Sequence, residues 1–215
     1  MIEEKIPFYT KGEEILNAVS HGIGVLFAIA GTVILIVWAA LMGDAWTIVS
    51  SAIYGFSLIV LYTMSTLYHA LTNPTAKRVM RIFDHTTIFL LIAGTYTPLA
   101  LVTLGHTPLG WTIFGLVWGS AVVGILLNAI SITRFKKLSM VLYVVSGWAA
   151  VIAMKPILSS MAPSGIALLF SGGLFYTGGI VFYALKKHRW FHCVWHFFVL
   201  AGSFCHYFMV LFFVV

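Results

Sequence analysis

Long apolar runs alternate with short polar joints along the whole chain. Seven runs stand out, at about 22–42, 46–71, 85–104, 110–130, 138–156, 164–185 and 192–214. As helix, about 20 such residues span the roughly 30 Å hydrocarbon core of a bilayer. The joints are MGDA near 42–45, TNPTAKRVMR at 72–81, GHTPLG at 105–110, TRFKK at 133–137, SSMAPSG at 159–165 and KKHRW at 186–190. Proline and glycine punctuate most of them. The pattern predicts an all-α integral membrane protein, a seven-transmembrane-helix bundle forming a single domain over 1–215. Residues 1–21 are expected to form a short N-terminal segment ahead of the first run, and the amphipathic stretch EEILNAVSH at 13–21 is expected to lie on the membrane surface. Glu3, Glu4, Glu13 and Glu14 precede the first run, with no small-residue cleavage site that stands out, so this run is expected to be a retained helix.

Composition agrees with the pattern. Of 215 residues, 61% are hydrophobic and 8% charged, against about 25% charged in soluble domains. A soluble globular domain is therefore excluded. The net charge is +6, and its distribution orients the bundle. Lys77, Arg78 and Arg81 lie between runs two and three, Arg134, Lys136 and Lys137 between four and five, and Lys186, Lys187 and Arg189 between six and seven. The alternate joints hold only Lys155, at a run's edge. Basic loops stay on the cytoplasmic side, which predicts a cytoplasmic N-terminus and an outside C-terminus in a multi-pass cell-membrane protein. The basic residues form small clusters with no stripe on a soluble face, so no nucleic-acid partner is expected; the partner is the lipid bilayer. Cys193 and Cys205 are twelve residues apart in one run, about 18 Å along a helix and too far to bridge.

The polar residues inside this apolar frame are few. Asp84 is the only acidic residue after Asp44, and a carboxylate at a membrane boundary is costly without a compensating partner. Ser65 and His69 end the second run, and His192 and His196 begin the seventh, each pair spaced i, i+4 and so on one helical face. On the predicted topology all five residues reach one depth on one membrane side. Three neutral imidazoles with an open fourth position are the ligand set of a catalytic zinc site. A nearby carboxylate then orients the bound water or takes its proton, and Ser65 is placed to hydrogen-bond either. Taken singly, each residue has a plainer reading: interfacial histidines, an Asp84–Arg81 pair on one helix, a packing serine. The joint placement favours the metal site. His85 is an outer-shell group or faces headgroups, His206 lines a cavity or bonds a neighbouring helix, and His21 serves structure. Asn128, Thr95 and Tyr96 are expected in interhelical hydrogen bonds.

The segments STLYHAL, RIFDHTTIFLLIAGTYTPL and FHCVWHFFVLAGSFCHYF, with EEILNAVSHGIGVLFAIAG near the start, resemble the hemolysin III family. These bacterial proteins are related to the progestin and adipoQ receptors, including the adiponectin receptors, and more distantly resemble the alkaline ceramidases. The resemblance implies seven helices with the N-terminus inside and a zinc ion near the cytoplasmic side, held by His69, His192 and His196. It implies that Asp84 contacts the zinc-bound water and that Ser65 assists as the second catalytic residue. Three functional readings follow. The first is a zinc-dependent hydrolase of a lipid amide or ester, with a membrane lipid or fatty-acyl substrate and a role in membrane-lipid homeostasis. The second is a non-enzymatic sensor of membrane state with a structural zinc clamp. The third is a hemolysin-like cytolytic membrane protein.

Overall fold

The structure, a computed structural model, describes residues 9–185 and 188–215. Of the basic residues that set the expected topology, Lys186 and Lys187 lie outside the described residues. Helix is the regular structure throughout: α1 Lys11–Met42, α2 Ala45–Ala70, α3 Pro74–Pro98, α4 Pro108–Gly147, α5 Met154–Ser160, α6 Pro163–Ala184 and α7 Phe191–Phe213. Among the described residues, six helical segments are long and apolar enough to cross a membrane. Their outer faces carry exposed apolar side chains such as Leu26, Phe27, Leu41, Ile130, Phe204 and Phe212, the surface a lipid solvent requires of a bundle whose backbone polar groups are satisfied within helices.

Local chemistry sets the helix starts. Thr10 and Glu13 form a capping box at α1, Asp44 and Thr47 another at α2. The Thr47 backbone N–H and hydroxyl hold the Asp44 carboxyl below its ordinary value, so this acid is an end cap and not part of a buried site. Asn73 Oδ1 accepts from the N–H groups of Thr75 and Ala76, and Pro74 follows at the first helical position.

The boundaries differ from the hydropathy reading in three places. Helix α1 starts at Lys11, so residues 13–21 are its first turns and not a separate segment. Within them Glu13, Asn17, Ser20 and His21 are buried, so this face packs into the bundle. Helix α3 starts at Pro74 and takes in most of the expected joint, putting Lys77, Arg78 and Arg81 on its first two turns. It runs past Pro98, which has no N–H to give, into a π-helical turn over Leu99–Thr103.

The third difference is α4. Its two helical arms meet at Ser131, which has extended backbone angles (φ −168°, ψ 113°). Ser120 Oγ and Ser146 Oγ, 26 positions apart, are within 2.8 Å; a straight helix would separate them by about 39 Å. Ser139 Oγ likewise donates to Asn128 Oδ1 at 2.7 Å. The helix therefore folds back on itself at Ser131 into two antiparallel arms. Ser131 Oγ accepts from Arg134 N at 3.2 Å and caps the second arm. That arm leads through a 3-10 turn, Ala149–Ala153, into α5.

Each helix packs on its neighbour in sequence for most of the chain, and α1 packs on α7 to close the bundle. Helix α3 is the most buried of the long helices. Close approaches need small residues, as membrane helices commonly do: any Cβ on Gly172 would collide with the His206 ring.

Candidate metal centre

The site forms at one end of the bundle, where α2 finishes and α1, α3 and α7 begin. His69 closes α2 in its last turn, and His192 and His196 stand one turn apart at the start of α7. The three rings converge through their outer nitrogens. His192 Nε2 lies 3.2 Å from His69 Nε2 and 3.3 Å from His196 Nε2. Each residue offers one ligand atom, all within 4.8 Å of one another, so the group could hold a metal ion. His69 and His196 are buried and His192 is nearly so.

The inner nitrogens settle which tautomers face the centre. His69 Nδ1 is 2.7 Å from Glu14 Oε2. An ionised carboxylate only accepts, so Nδ1 carries the proton and Nε2 presents its lone pair. Ser20 Oγ donates to Asn17 O at 3.0 Å and stands 3.3 Å from His196 Nδ1. With its hydrogen so used, Ser20 accepts from His196 Nδ1–H, and His196 Nε2 also presents a lone pair. A hydrogen on His192 Nε2 could satisfy only one of these two acceptors. A cation among the three nitrogens satisfies all of them, and the donor set is that of a three-histidine metal site. The residues present fit a divalent metal.

Asp84 and Ser65 stand beside this group. Asp84 lies close enough to His69 and His192 for its charge to act on both rings, and close to Ser65. Its direct pairing is with His85, 3.4 Å from Asp84 Oδ2 to His85 Nδ1. Ser65 Oγ is buried beside Asp84 and, among the described residues, has no hydrogen bond of ordinary geometry. His85 is thus an inner residue and does not face headgroups: its Nε2 reaches the Tyr183 hydroxyl at 3.2 Å, and its carbonyl accepts from Tyr143 at 2.9 Å and Asn128 at 3.4 Å. That carbonyl ties the folded-back arms of α4 to the Asp84 turn of α3. Tyr96 bridges to Gly147 O at 2.7 Å, whereas Thr95 bonds Leu91 O on its own helix and makes no interhelical bond there. His206 Nε2 is 3.0 Å from Leu169 O on α6.

Sequence reasoning missed the contribution of α1. Glu14 and Ser20 touch two of the three imidazoles, and Asn17 Nδ2 approaches His69 Nδ1 at 3.5 Å. His21, assigned to structure, stacks on His196 with ring centroids 3.7 Å apart and planes 16° from parallel. Two signals pointed here: the Thr10–Glu13 capping box, which starts a helix eleven residues before the apolar run, and the spacing of Glu14, Asn17 and His21, which puts three polar groups on one face. Tyr9, just before α1, lays its ring 4.9 Å from His192 and 5.6 Å from His69. Burial, then the nearby Tyr68, Tyr183, Asp84 and Glu14, pushes the Tyr9 phenol far above its ordinary value, so a neutral hydroxyl covers this side of the site.

An apolar cavity adjoins the centre. It holds about 710 Å³ of empty space, its open mouth included, and Leu61, Ile88, Tyr143, Ile180, Trp195 and His206 are among its walls. Leu61 is one turn from Ser65, Ile88 one turn from Asp84, and Val199, also in its wall, about one turn from His196, so the cavity begins about one turn from the site on three helices. It continues into the bundle as far as His206.

Comparisons with known proteins cover most of the chain. A profile described as haemolysin-III related matches residues 9–207. The chain is 46% identical over 207 residues to the Hemolysin-3 homolog of Bacillus subtilis (strain 168), covering 96% of this chain and 97% of that protein. It is 41% identical over 203 residues to Hemolysin-3 of Bacillus cereus, covering 94% and 92%. The human Monocyte to macrophage differentiation factor is 27% identical over 205 residues, covering 92% of this chain and 83% of its own.

Proposed function

The chain belongs to the haemolysin-III related family, and from that premise we propose that it is a zinc-dependent membrane hydrolase acting on an amide or ester bond of a membrane lipid. The observation that carries the reading is the convergence of three Nε2 atoms, His192 being 3.2 Å from His69 and 3.3 Å from His196. Bound there, zinc would supply a Lewis acid and a water acidic enough to ionise near neutral pH. His69, His192 and His196 would hold it. Asp84 would take a proton from the attacking water and return it to the leaving amine or alcohol. Ser65, buried beside Asp84, would donate to the Asp84 carboxylate or to the substrate carbonyl. The apolar cavity would seat an acyl chain with its carbonyl toward the imidazoles, and its low polarity would strengthen each charge interaction at the site.

The same reading includes seven membrane crossings, with α4 contributing two, the N-terminus and the metal site on the cytoplasmic side, and residence in the bacterial cell membrane with a role in lipid homeostasis. It is supported by the fold-back at Ser131 and by the basic residues of the described chain, which gather at the site's end with the exception of Lys155.

Metal analysis and lipid turnover of purified protein test it together. His192→Ala is expected to lose zinc and activity, while Asp84→Ala keeps most of the zinc and loses turnover by roughly 10²-fold or more. Full turnover by a zinc-free His192→Ala protein would sink the mechanism. A second reading, a metal clamp in a non-enzymatic sensor, has one observation in its favour: the triad joins α2 to α7, helices that otherwise meet mainly through α1. An unchanged lipid profile in cells carrying Asp84→Asn, with zinc retained, would favour the clamp. The name Hemolysin-3 of the Bacillus cereus relative motivates a third, cytolytic reading; lysis surviving loss of all three histidines would establish it.

A further inference from the structure

We infer that α1 is the template of the metal centre, with Glu14 and Ser20 as positioning residues that hold two of the three imidazoles in their ligand form. The inference rests on the metal reading above and adds a helix that contributes no ligand.

Each half of the template has its own contact. Glu14 uses both carboxylate oxygens: Oε2 faces His69 Nδ1 at 2.7 Å and Oε1 faces Lys77 Nζ at 2.8 Å. Lys77 Nζ also donates to Tyr68 O at 2.9 Å and Leu71 O at 3.4 Å, the end of α2 that carries His69. The carboxylate is therefore held from both sides and its negative charge is balanced. It keeps a hydrogen on Nδ1 of His69, turns the ring and makes Nε2 more electron-rich. Ser20 acts on His196 through the 3.3 Å contact to Nδ1, its own hydrogen fixed on Asn17 O. Glu14 and Ser20 lie six positions apart on one helix, at about 600° of rotation, or some 120° net. That angle lets one helix reach an imidazole on α2 and another on α7. Neither side chain is within ligand distance of the convergence point as the structure places it, because each meets the far nitrogen of its ring. Loss of either would leave the ligands present but free to rotate or to change tautomer.

The test is zinc affinity measured by competition with a chromophoric chelator, on full-length protein in detergent, beside the melting temperature of the metal-free protein. The variants are Glu14→Ala, Glu14→Gln, Ser20→Ala and, as reference, His192→Ala. Loss of a carboxylate behind a metal-bound histidine weakens binding by roughly 10–100-fold. Glu14→Ala is expected in that range. Glu14→Gln, isosteric and still an acceptor, should bind more weakly than wild type and more tightly than Glu14→Ala, and it carries the test if the alanine variant fails to fold. Ser20→Ala is expected near the lower end, about tenfold. Wild-type zinc affinity in the Glu14 and Ser20 variants, with His192→Ala unable to bind, overturns the template and leaves the metal reading standing. A lower metal-free melting temperature with unchanged affinity overturns it too, since the residues would then serve packing alone. Wild-type affinity in His192→Ala overturns both.

Discussion

Two acidic side chains approach the imidazoles and meet different partners. Glu14 bonds His69 directly, while Asp84 pairs with His85 and acts on His69 and His192 by its charge. Asp84 was legible from the sequence because a lone carboxylate in an apolar run demands an explanation. Glu14 was hidden among four glutamates near the start of the chain, where acids are unremarkable. His21 is the residue whose role the structure leaves most open to measurement. Among the described residues, neither of its buried ring nitrogens makes a hydrogen bond of ordinary geometry, while its face stacks on His196. His21→Phe keeps a stacking ring and removes two unsatisfied polar atoms, a change that is neutral or stabilising when nothing pairs with them. The melting temperature of purified His21→Phe is expected to equal or exceed that of wild type. A fall of several degrees would show that those nitrogens have partners in solution.

Helix α4 shows how little of an element's course hydropathy can reveal. The expected joint TRFKK lies at 133–137, yet the chain turns at Ser131 and is helical again through those residues. Neither glycine nor proline marks the reversal. A single extended residue makes it, with the serine hydroxyl restarting the hydrogen-bond ladder on Arg134 N. Replacing that cap with alanine should cost about 1 kcal/mol, and with glycine only a few tenths. Unfolding of purified Ser131→Ala and Ser131→Gly by denaturing detergent checks the ranking; equal losses would mean that the hydroxyl is not the cap. Helix α1 carries the opposite lesson. Its start was legible in the Thr10–Glu13 box, but an amphipathic face reads the same whether it lies against a membrane surface or against two other helices. Only the packing of Asn17, Ser20 and His21 against α2 and α7 decides between them.

Across the whole molecule, charge and chemistry share one end. Lys77, Arg78, Arg81, Arg134, Lys136, Lys137 and Arg189 stand at the end that holds the imidazoles, and Lys155 stands at the other. If that end is cytoplasmic, a membrane-impermeant maleimide applied to intact cells should label His106→Cys and spare Lys137→Cys until the membrane is opened. Both positions are exposed, and the background should lack Cys193 and Cys205. The reverse pattern would invert the orientation. The cavity belongs to this scale as well. Its walls come from α2, α3, the second arm of α4, α6 and α7, and no single run of sequence signals it.

The sequence by itself determined the helical, membrane-spanning character of the chain, because hydrocarbon permits few other backbones. It also pointed to the three histidines, because i, i+4 spacing makes His192 and His196 neighbours on one helix and the basic joints set His69 at the same end of the bundle. The tertiary structure alone decided which nitrogens converge, which partners set their tautomers, where the long helix turns back and how an apolar space opens one turn beneath the imidazoles. Those features depend on contacts between helices distant in sequence. Spacing along one helix carries no information about the rotation of that helix against its neighbours.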